Sequence, residues 1–169
     1  MIMVDYNKNL WAPWRMEYIG QLNGPKGVCF LCHARDNPQD DSTNYVLCRG
    51  KTCYVILNRF PYTTGHMLIA PYNHECDLEK LGDDTLLEMM QLLRRMKGLV
   101  EKVIRAEGFN VGINFCQCAG AGLPDHLHLH LVPRWSGDTN FMSVIGEVRV
   151  IPEAIDRTYE KLKSGLEGA

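Results

Sequence analysis

The chain has 169 residues, a length that suits a single domain with a substantial hydrophobic core. Hydrophobic residues make up 46% and charged residues 22% of the sequence, which is typical of a soluble globular protein. The formal net charge of −2 argues against a general nucleic-acid binder. The N-terminal segment lacks the apolar core of a signal peptide, and no apolar run reaches the ~20 residues that span a membrane. We therefore expect a cytoplasmic protein with no nucleic-acid or membrane partner.

The cysteine count also bears on the class of protein. Seven cysteines are an odd number for a disulfide framework. In a reducing compartment we expect most of them to be free thiols or metal ligands.

The first half of the chain predicts antiparallel strands. Two apolar, β-branched runs, at residues 45–48 and 53–57, are separated by a short turn around Gly50, a pattern typical of a hairpin. A further strand is predicted over residues 66–70, where Pro71 closes it.

The clearest helix is predicted over residues 83–107. Asp83, Asp84 and Thr85 suit the first turn, where acidic and capping side chains complement the helix dipole. Gly108 stands at the position of a C-terminal cap. Apolar residues recur at helical spacing along this segment: Leu86, Met90, Leu93, Val100 and Ile104.

Two more strands are predicted over residues 109–115 and 126–132, and a last helix runs from near Pro152 toward Gly165. One long helix among antiparallel strands indicates an α+β fold. We therefore predict an antiparallel sheet meander with one long helix and a C-terminal helix.

The most informative stretch is residues 126–132, His-Leu-His-Leu-His-Leu-Val. Because side chains alternate along a strand, the three imidazoles share one face and the leucines share the other. An exposed polar face explains one histidine better than three at a strict period of two. Two chemical interpretations remain. The first is a metal site, since His-X-His suits ligand geometry. The second is nucleophilic catalysis, since a neutral imidazole attacks near pH 7 and leaves readily once phosphorylated.

This pattern resembles the motif that defines the histidine-triad (HIT) family, and the match is complete over residues 126–132. Residues 55–61, Val-Ile-Leu-Asn-Arg-Phe-Pro, and 65–71, Gly-His-Met-Leu-Ile-Ala-Pro, resemble the upstream half of the family. The opening residues 10–15, Leu-Trp-Ala-Pro-Trp-Arg, and residues 133–141 resemble a bacterial and archaeal branch that contains diadenosine tetraphosphate phosphorylases. The resemblance implies the HIT-type fold and a homodimer.

We expect a single HIT domain over residues 1–169. It would comprise an N-terminal extension over 1–28, the HIT core over 29–135, and a C-terminal extension with a helix over 136–169.

The resemblance also assigns chemistry to the histidines. The middle histidine of the triad, His128, matches the family's nucleophile, which attacks an α-phosphate to give a nucleotidyl-histidine intermediate. His126 and His130 would orient it and stabilise the departing charge, and His66 matches a histidine near the phosphates. The implied activity is hydrolysis or phosphorolysis of a dinucleoside polyphosphate, diadenosine tetraphosphate above all, with an adenine nucleotide as the bound partner.

Four further positions are implied as nucleotide contacts. Asn58 matches a residue that bonds a ribose hydroxyl, and Asn114 falls where a polar residue lies near sugar or phosphate. For both, a turn or backbone hydrogen bond is the alternative. Gly120 and Gly122 lie in a loop where small residues let backbone N–H groups approach an anion, although a plain glycine turn fits as well. Hydrolase relatives usually have Gln, and phosphorylase-like relatives often have Ser, where this chain has Gly122, so the resemblance leaves open whether water or phosphate is the accepting group.

Cys29 and Cys32 have the two-residue gap of a zinc half-site. Resemblance to zinc-bearing relatives supplies His74 and His126 as the remaining ligands of a structural Zn²⁺, and no organic cofactor is expected. A pair of buried free thiols and a redox dithiol are the alternatives, and His33 is an alternative ligand.

Three other functions compete with the leading one. A nucleoside phosphoramidate hydrolase would use the same His128 and differ in its leaving group. A non-catalytic HIT module would bind a nucleotide without turnover. A metalloenzyme that used the triad as ligands is disfavoured, because no acidic residue is spaced to complete such a site.

Overall fold

The computed structural model describes residues 29–139, 151 and 153–168. The segment that contains Trp11 and Trp14, and Phe141 of the motif after the triad, lie outside the described residues. Within these described residues, four α-helices and five strands follow in chain order: α1 (Phe30–Asp36), α2 (Asp41–Asn44), β1 (Val46–Arg49), β2 (Cys53–Leu57), β3 (Met67–Pro71), α3 (Asp83–Ile104), β4 (Gly108–Ile113), β5 (Leu129–Arg134) and α4 (Ile155–Glu167). Short 3₁₀ turns cover Pro38–Asp40, Leu78–Lys80 and Gln117–Ala119.

The five strands form one sheet in the order β1-β2-β3-β5-β4, and every neighbouring pair is antiparallel. This confirms the α+β class, the antiparallel sheet and the hairpin predicted around Gly50. The strands β1, β2 and β3 follow one another as a meander, and β5 then lies between β3 and β4. The central strand β3 pairs with β5 so that Leu68 lies opposite His130. That register places His130 inside the sheet, on a strand with a neighbour on each side.

The predicted strand over 126–132 is shifted in the structure. Regular pairing begins only at Leu129 and continues to Arg134, so His126 and His128 precede the strand. The partner strand β4 ends at Ile113 opposite Leu129, and this leaves no strand partner for the earlier residues on that side among the described pairings. The predicted strand over 109–115 likewise becomes Gly108–Ile113.

The long helix ends earlier than predicted. It stops at Ile104, and Arg105, with φ 55°, provides the left-handed C-terminal cap that the sequence suggested for Gly108. Gly108 instead starts β4. A non-glycine residue adopts this conformation only where other contacts compensate, and the Arg105 carbonyl accepts a bond from the Trp135 indole at 2.8 Å.

The sheet has two differently covered faces. On one face, α3 and α4 cover a core to which Leu127, Leu129 and Leu131 belong. On the other face, α1 covers a smaller cluster that includes Tyr54 and Leu68. His130 lies directly opposite Leu68 and so shares this second face, while the His126 side chain is buried against Cys29 and Cys32 at the start of α1. No helix within the described ranges is both long enough and apolar enough to cross a bilayer.

Candidate active site

His128 is held in one defined protonation form. Its ring is buried, with 6% of its surface exposed, and its Nδ1 lies 2.8 Å from the backbone carbonyl oxygen of His126. Because a carbonyl only accepts, Nδ1 must carry the proton, and Nε2 keeps its lone pair. Burial lowers the pKa of His128, which favours the neutral form. A neutral imidazole with a bare Nε2 is competent as a nucleophile.

His126 contributes to this arrangement through its backbone. Its side chain is completely buried and turns away toward Cys29 and Cys32. Its Nε2 donates to the carbonyl oxygen of Pro71, the last residue of β3, at 2.9 Å. The orientation expected from His126 is therefore supplied by its carbonyl group, while the imidazole belongs to the cysteine cluster.

His130 and His66 lie on the other side of the nucleophile. The rings of His128 and His130 meet edge to face with centroids 4.8 Å apart. His66, directly before β3, is almost fully buried, and its Nε2 lies 3.0 Å from Nδ1 of His130. Pairing of β3 with β5 explains this contact. Leu68 lies directly opposite His130, and His66, two residues before Leu68, has its side chain on the same face of the sheet. The structure thus brings His66, His128 and His130 together.

A second cluster contains the four residues predicted as metal ligands, Cys29, Cys32, His74 and His126. Their ligand atoms all lie within 4.8 Å of one another. The Cys29 sulfur lies 3.3 Å, and the Cys32 sulfur 3.6 Å, from Nδ1 of His126, and Cys32 lies 3.1 Å from Nδ1 of His74. The helix α1 starts between the two cysteines and folds both thiols toward the same point.

The chemistry of this donor set fits a tetrahedral metal ion. The Nε2 of His126 must carry a proton to bond the Pro71 carbonyl, so Nδ1 faces the sulfurs with its lone pair, which is the usual support for a ligating histidine. Burial lowers the pKa of His126 to about 4, so its ring is neutral at pH 7. Burial also raises the pKa of Cys29 to about 11, so a bound metal would displace a proton from this thiol. His33 is exposed and bonds Asn37 instead.

The four residues predicted to contact a nucleotide differ in their burial and in their hydrogen bonds. Asn58 follows β2 and bonds His66, with Nδ2 3.3 Å from the His66 Nδ1. Asn114 is half-buried directly after β4, and Gly122 is half-buried before the triad. Gly120 is exposed with φ 86°, and its N–H already donates to the Gln117 carbonyl. Their roles toward a nucleotide stay predictions.

Tyr62 is a site residue that the sequence did not reveal. Its ring stacks on His66 with centroids 4.6 Å apart, and its backbone N–H donates to the His66 Nδ1 at 3.1 Å. The hydroxyl of Thr63 ties the same loop to the Pro133 carbonyl on β5. A loop tyrosine has no periodicity, so only the folded loop places it here.

The family model described as "HIT domain" matches residues 39–137. These residues are more than half of the chain and include the whole histidine segment. The chain therefore belongs to the HIT family.

Relatives and solved structures agree with this membership. The chain is 37% identical over 163 residues to a protein named AP-4-A phosphorylase from Mycobacterium tuberculosis, covering 94% of this chain and 84% of the relative. It is 30% identical over 142 residues to adenosine 5'-monophosphoramidase from Saccharomyces cerevisiae, covering 84% and 85%. A zinc-bound histidine triad family protein from Mycobacterium smegmatis superposes with a TM-score of 0.67 at 26% identity, covering 83% of this chain and 94% of the other.

Proposed function

We propose that this protein cleaves a dinucleoside polyphosphate such as diadenosine tetraphosphate, through a nucleotidyl intermediate on Nε2 of His128. The observation that carries the proposal is the bond from His128 Nδ1 to the His126 carbonyl, which leaves Nε2 unprotonated beside two further histidines. The 37% identity to a protein named AP-4-A phosphorylase supports the substrate class and favours phosphate as the accepting group.

The reaction would proceed in two displacements. Nε2 of His128 attacks the α-phosphorus of one nucleoside, and the bond to the bridging oxygen breaks, so that the remaining nucleoside triphosphate leaves as ATP. His130 stands next to the nucleophile and would stabilise or protonate the departing oxygen. Inorganic phosphate then attacks the adenylyl group, the P–N bond breaks, and ADP leaves while His128 regains its neutral form. If water were the acceptor, the second product would be AMP.

The cysteine and histidine cluster is proposed as a structural zinc site held by Cys29, Cys32, His74 and His126. Four protein ligands close a tetrahedral site, so the ion would hold α1 and the end of β3 together rather than take part in the reaction. The zinc-bound structural neighbour supports the choice of metal. Because His126 belongs to the cluster, the site would also fix the carbonyl that orients His128.

A cytoplasmic homodimer is also part of the proposal. The strand β4 lies at the edge of the sheet and exposes Val111, with 49% of its surface accessible. An exposed edge strand is a template for pairing with a second chain. Light scattering or sedimentation of the purified protein measures the oligomeric state, and a monomer at micromolar concentration contradicts this part.

The decisive experiment for the activity is to incubate the protein with diadenosine tetraphosphate, with and without inorganic phosphate, and to identify the products. ADP and ATP that form only with phosphate are the expected result. AMP and ATP without phosphate would make the protein an asymmetric hydrolase. No turnover of this substrate, together with turnover of adenosine phosphoramidate, would overturn the proposal in favour of the activity named in the yeast relative.

A further inference from the structure

The side chain of Asn58 has a fixed orientation. Its Oδ1 accepts the backbone N–H of Phe60 at 3.0 Å. The amide group must therefore direct its other end, the NH₂ group, toward the His66 Nδ1, 3.3 Å away. An amide nitrogen only donates, so this contact requires a lone pair on Nδ1 of His66.

A second donor imposes the same requirement. The backbone N–H of Tyr62 also points at Nδ1 of His66, with a nitrogen-to-nitrogen distance of 3.1 Å. Two N–H donors converge on one ring nitrogen, so that nitrogen carries no proton. Neutral His66 then has its proton on Nε2, which lies 3.0 Å from Nδ1 of His130.

The tautomer of His66 in turn determines the tautomer of His130. His66 donates from Nε2, so His130 accepts at Nδ1 and carries its own proton on Nε2. His130 packs edge to face against the proposed nucleophile, with ring centroids 4.8 Å apart. With its proton on Nε2, His130 would have a donor for the oxygen that leaves the phosphorus, whereas the other tautomer would carry its only N–H proton toward His66.

We propose that Asn58, together with the Tyr62 backbone N–H, is a positioning element that locks His66 in its Nε2–H tautomer and thereby makes His130 the proton donor. This goes beyond the ribose contact predicted for Asn58 and rests on the proposed function for its catalytic consequence. Both roles are compatible, because an amide has a second N–H and a second lone pair for a ribose hydroxyl.

The tautomers can be read directly on the protein without substrate. In protein labelled with ¹⁵N in its histidine rings, long-range proton–nitrogen spectra report which nitrogen of each ring is protonated. The expected result is a bare Nδ1 and a protonated Nε2 for both His66 and His130. A proton on Nδ1 of His66 would overturn the proposal. This readout needs no turnover, so a failure of the proposed activity would not be confused with it.

The variant Asn58→Asp replaces the donor by a carboxylate of the same shape. A carboxylate only accepts, so it should draw a proton onto Nδ1 of His66 and disturb the tautomer of His130. We expect kcat to fall by about 10-fold or more, within the range that proton transfer by a positioned group supplies. The KM should change little, because the carboxylate still accepts a ribose hydroxyl.

The matched control is Tyr62→Leu, which removes the stacked ring but keeps the backbone N–H. Its His66 should keep the bare Nδ1. A shift of the His66 proton in this control would show that ring stacking sets the tautomer and would overturn the proposal. A raised KM with unchanged kcat and unchanged tautomers in Asn58→Asp would overturn it as well, since Asn58 would then act on the ribose alone.

Discussion

The Nδ1 of His128 lies 2.8 Å from the backbone carbonyl oxygen of His126, whose imidazole points the opposite way into the cluster of Cys29 and Cys32. His126 therefore connects the cluster proposed as a zinc site with His128, the proposed nucleophile. The hydrogen bond from His126 Nε2 to the Pro71 carbonyl anchors the same segment to the end of β3. A change at the cysteine cluster should therefore alter the orientation of the His128 ring.

Removal of the metal should destabilise the protein and release the His126 segment. We expect the purified protein to contain one zinc ion per chain and Cys32→Ser to lose it. The melting temperature of that variant should fall by about 10 °C, which corresponds to a loss of about 3 kcal/mol in the free energy of unfolding for a domain of this size. Elemental analysis and calorimetry measure both quantities. The control is Cys118→Ser, an exposed cysteine outside the cluster, which should keep its zinc and its melting temperature.

The fourth ligand can be tested separately. His74→Ala should lose zinc, because the His74 Nδ1 lies 3.1 Å from the Cys32 sulfur. His33→Ala should retain it, because His33 is next to Cys32 in sequence but bonds Asn37 on the helix surface. Zinc content of the two variants decides between them. A loss in His33→Ala with retention in His74→Ala would reverse the assignment.

Glu88 on α3 should stabilise the protein in a pH-dependent way. Its carboxylate accepts the backbone N–H groups of Lys51, Thr52 and Cys53 and the Thr52 hydroxyl, and so holds the β1–β2 turn. Burial raises the pKa of Glu88, but these hydrogen bonds outweigh burial and leave the pKa below its usual value. A carboxyl group whose pKa is lower in the folded protein stabilises the fold at pH values above its unfolded pKa of about 4.3. This stabilisation is lost as the pH falls through the folded pKa.

We therefore expect Glu88→Gln to lower the free energy of unfolding by about 1–2 kcal/mol at pH 7, the lower part of the range for hydrogen bonds to a charged group, because Glu88 is only half-buried. The difference should shrink when the pH is lowered from 7 to a second, acidic value below the folded pKa, where the wild-type carboxyl is protonated. Urea unfolding at both pH values measures it, and Glu160→Gln, an exposed carboxylate on α4, is the control. An equal loss at both pH values would show that the charge of Glu88 plays no part.

The sequence predicted the parts of this molecule that depend on periodicity and spacing. The alternation of His and Leu over residues 126–132 placed the leucines in the core, and the Cys29–Cys32 gap indicated the cluster that the structure forms. Element ends were less predictable, since a tertiary contact from Trp135 lets Arg105 terminate α3 before Gly108. The same limit applies to Tyr62 and Asn58, whose contacts with His66 depend on how one loop folds back.

The sequence also did not predict that the three histidines of the triad make different contacts. A strand pattern treats His126, His128 and His130 alike, because it encodes only the face on which each side chain lies. In the structure the regular strand starts at Leu129, and this frees the earlier residues to turn. His126 can therefore face the cysteines while His128 and His130 pack together.

The most direct test of the central claim is to trap the intermediate on His128. The protein is mixed rapidly with diadenosine tetraphosphate in the absence of phosphate, quenched at alkaline pH, and analysed by intact and peptide mass spectrometry. We predict an added adenylyl group on the peptide that contains His128, and in His128→Ala neither the adduct nor the activity, with turnover reduced by about 10³-fold or more. Wild-type turnover without any adduct, together with retained activity in His128→Ala, would contradict the account.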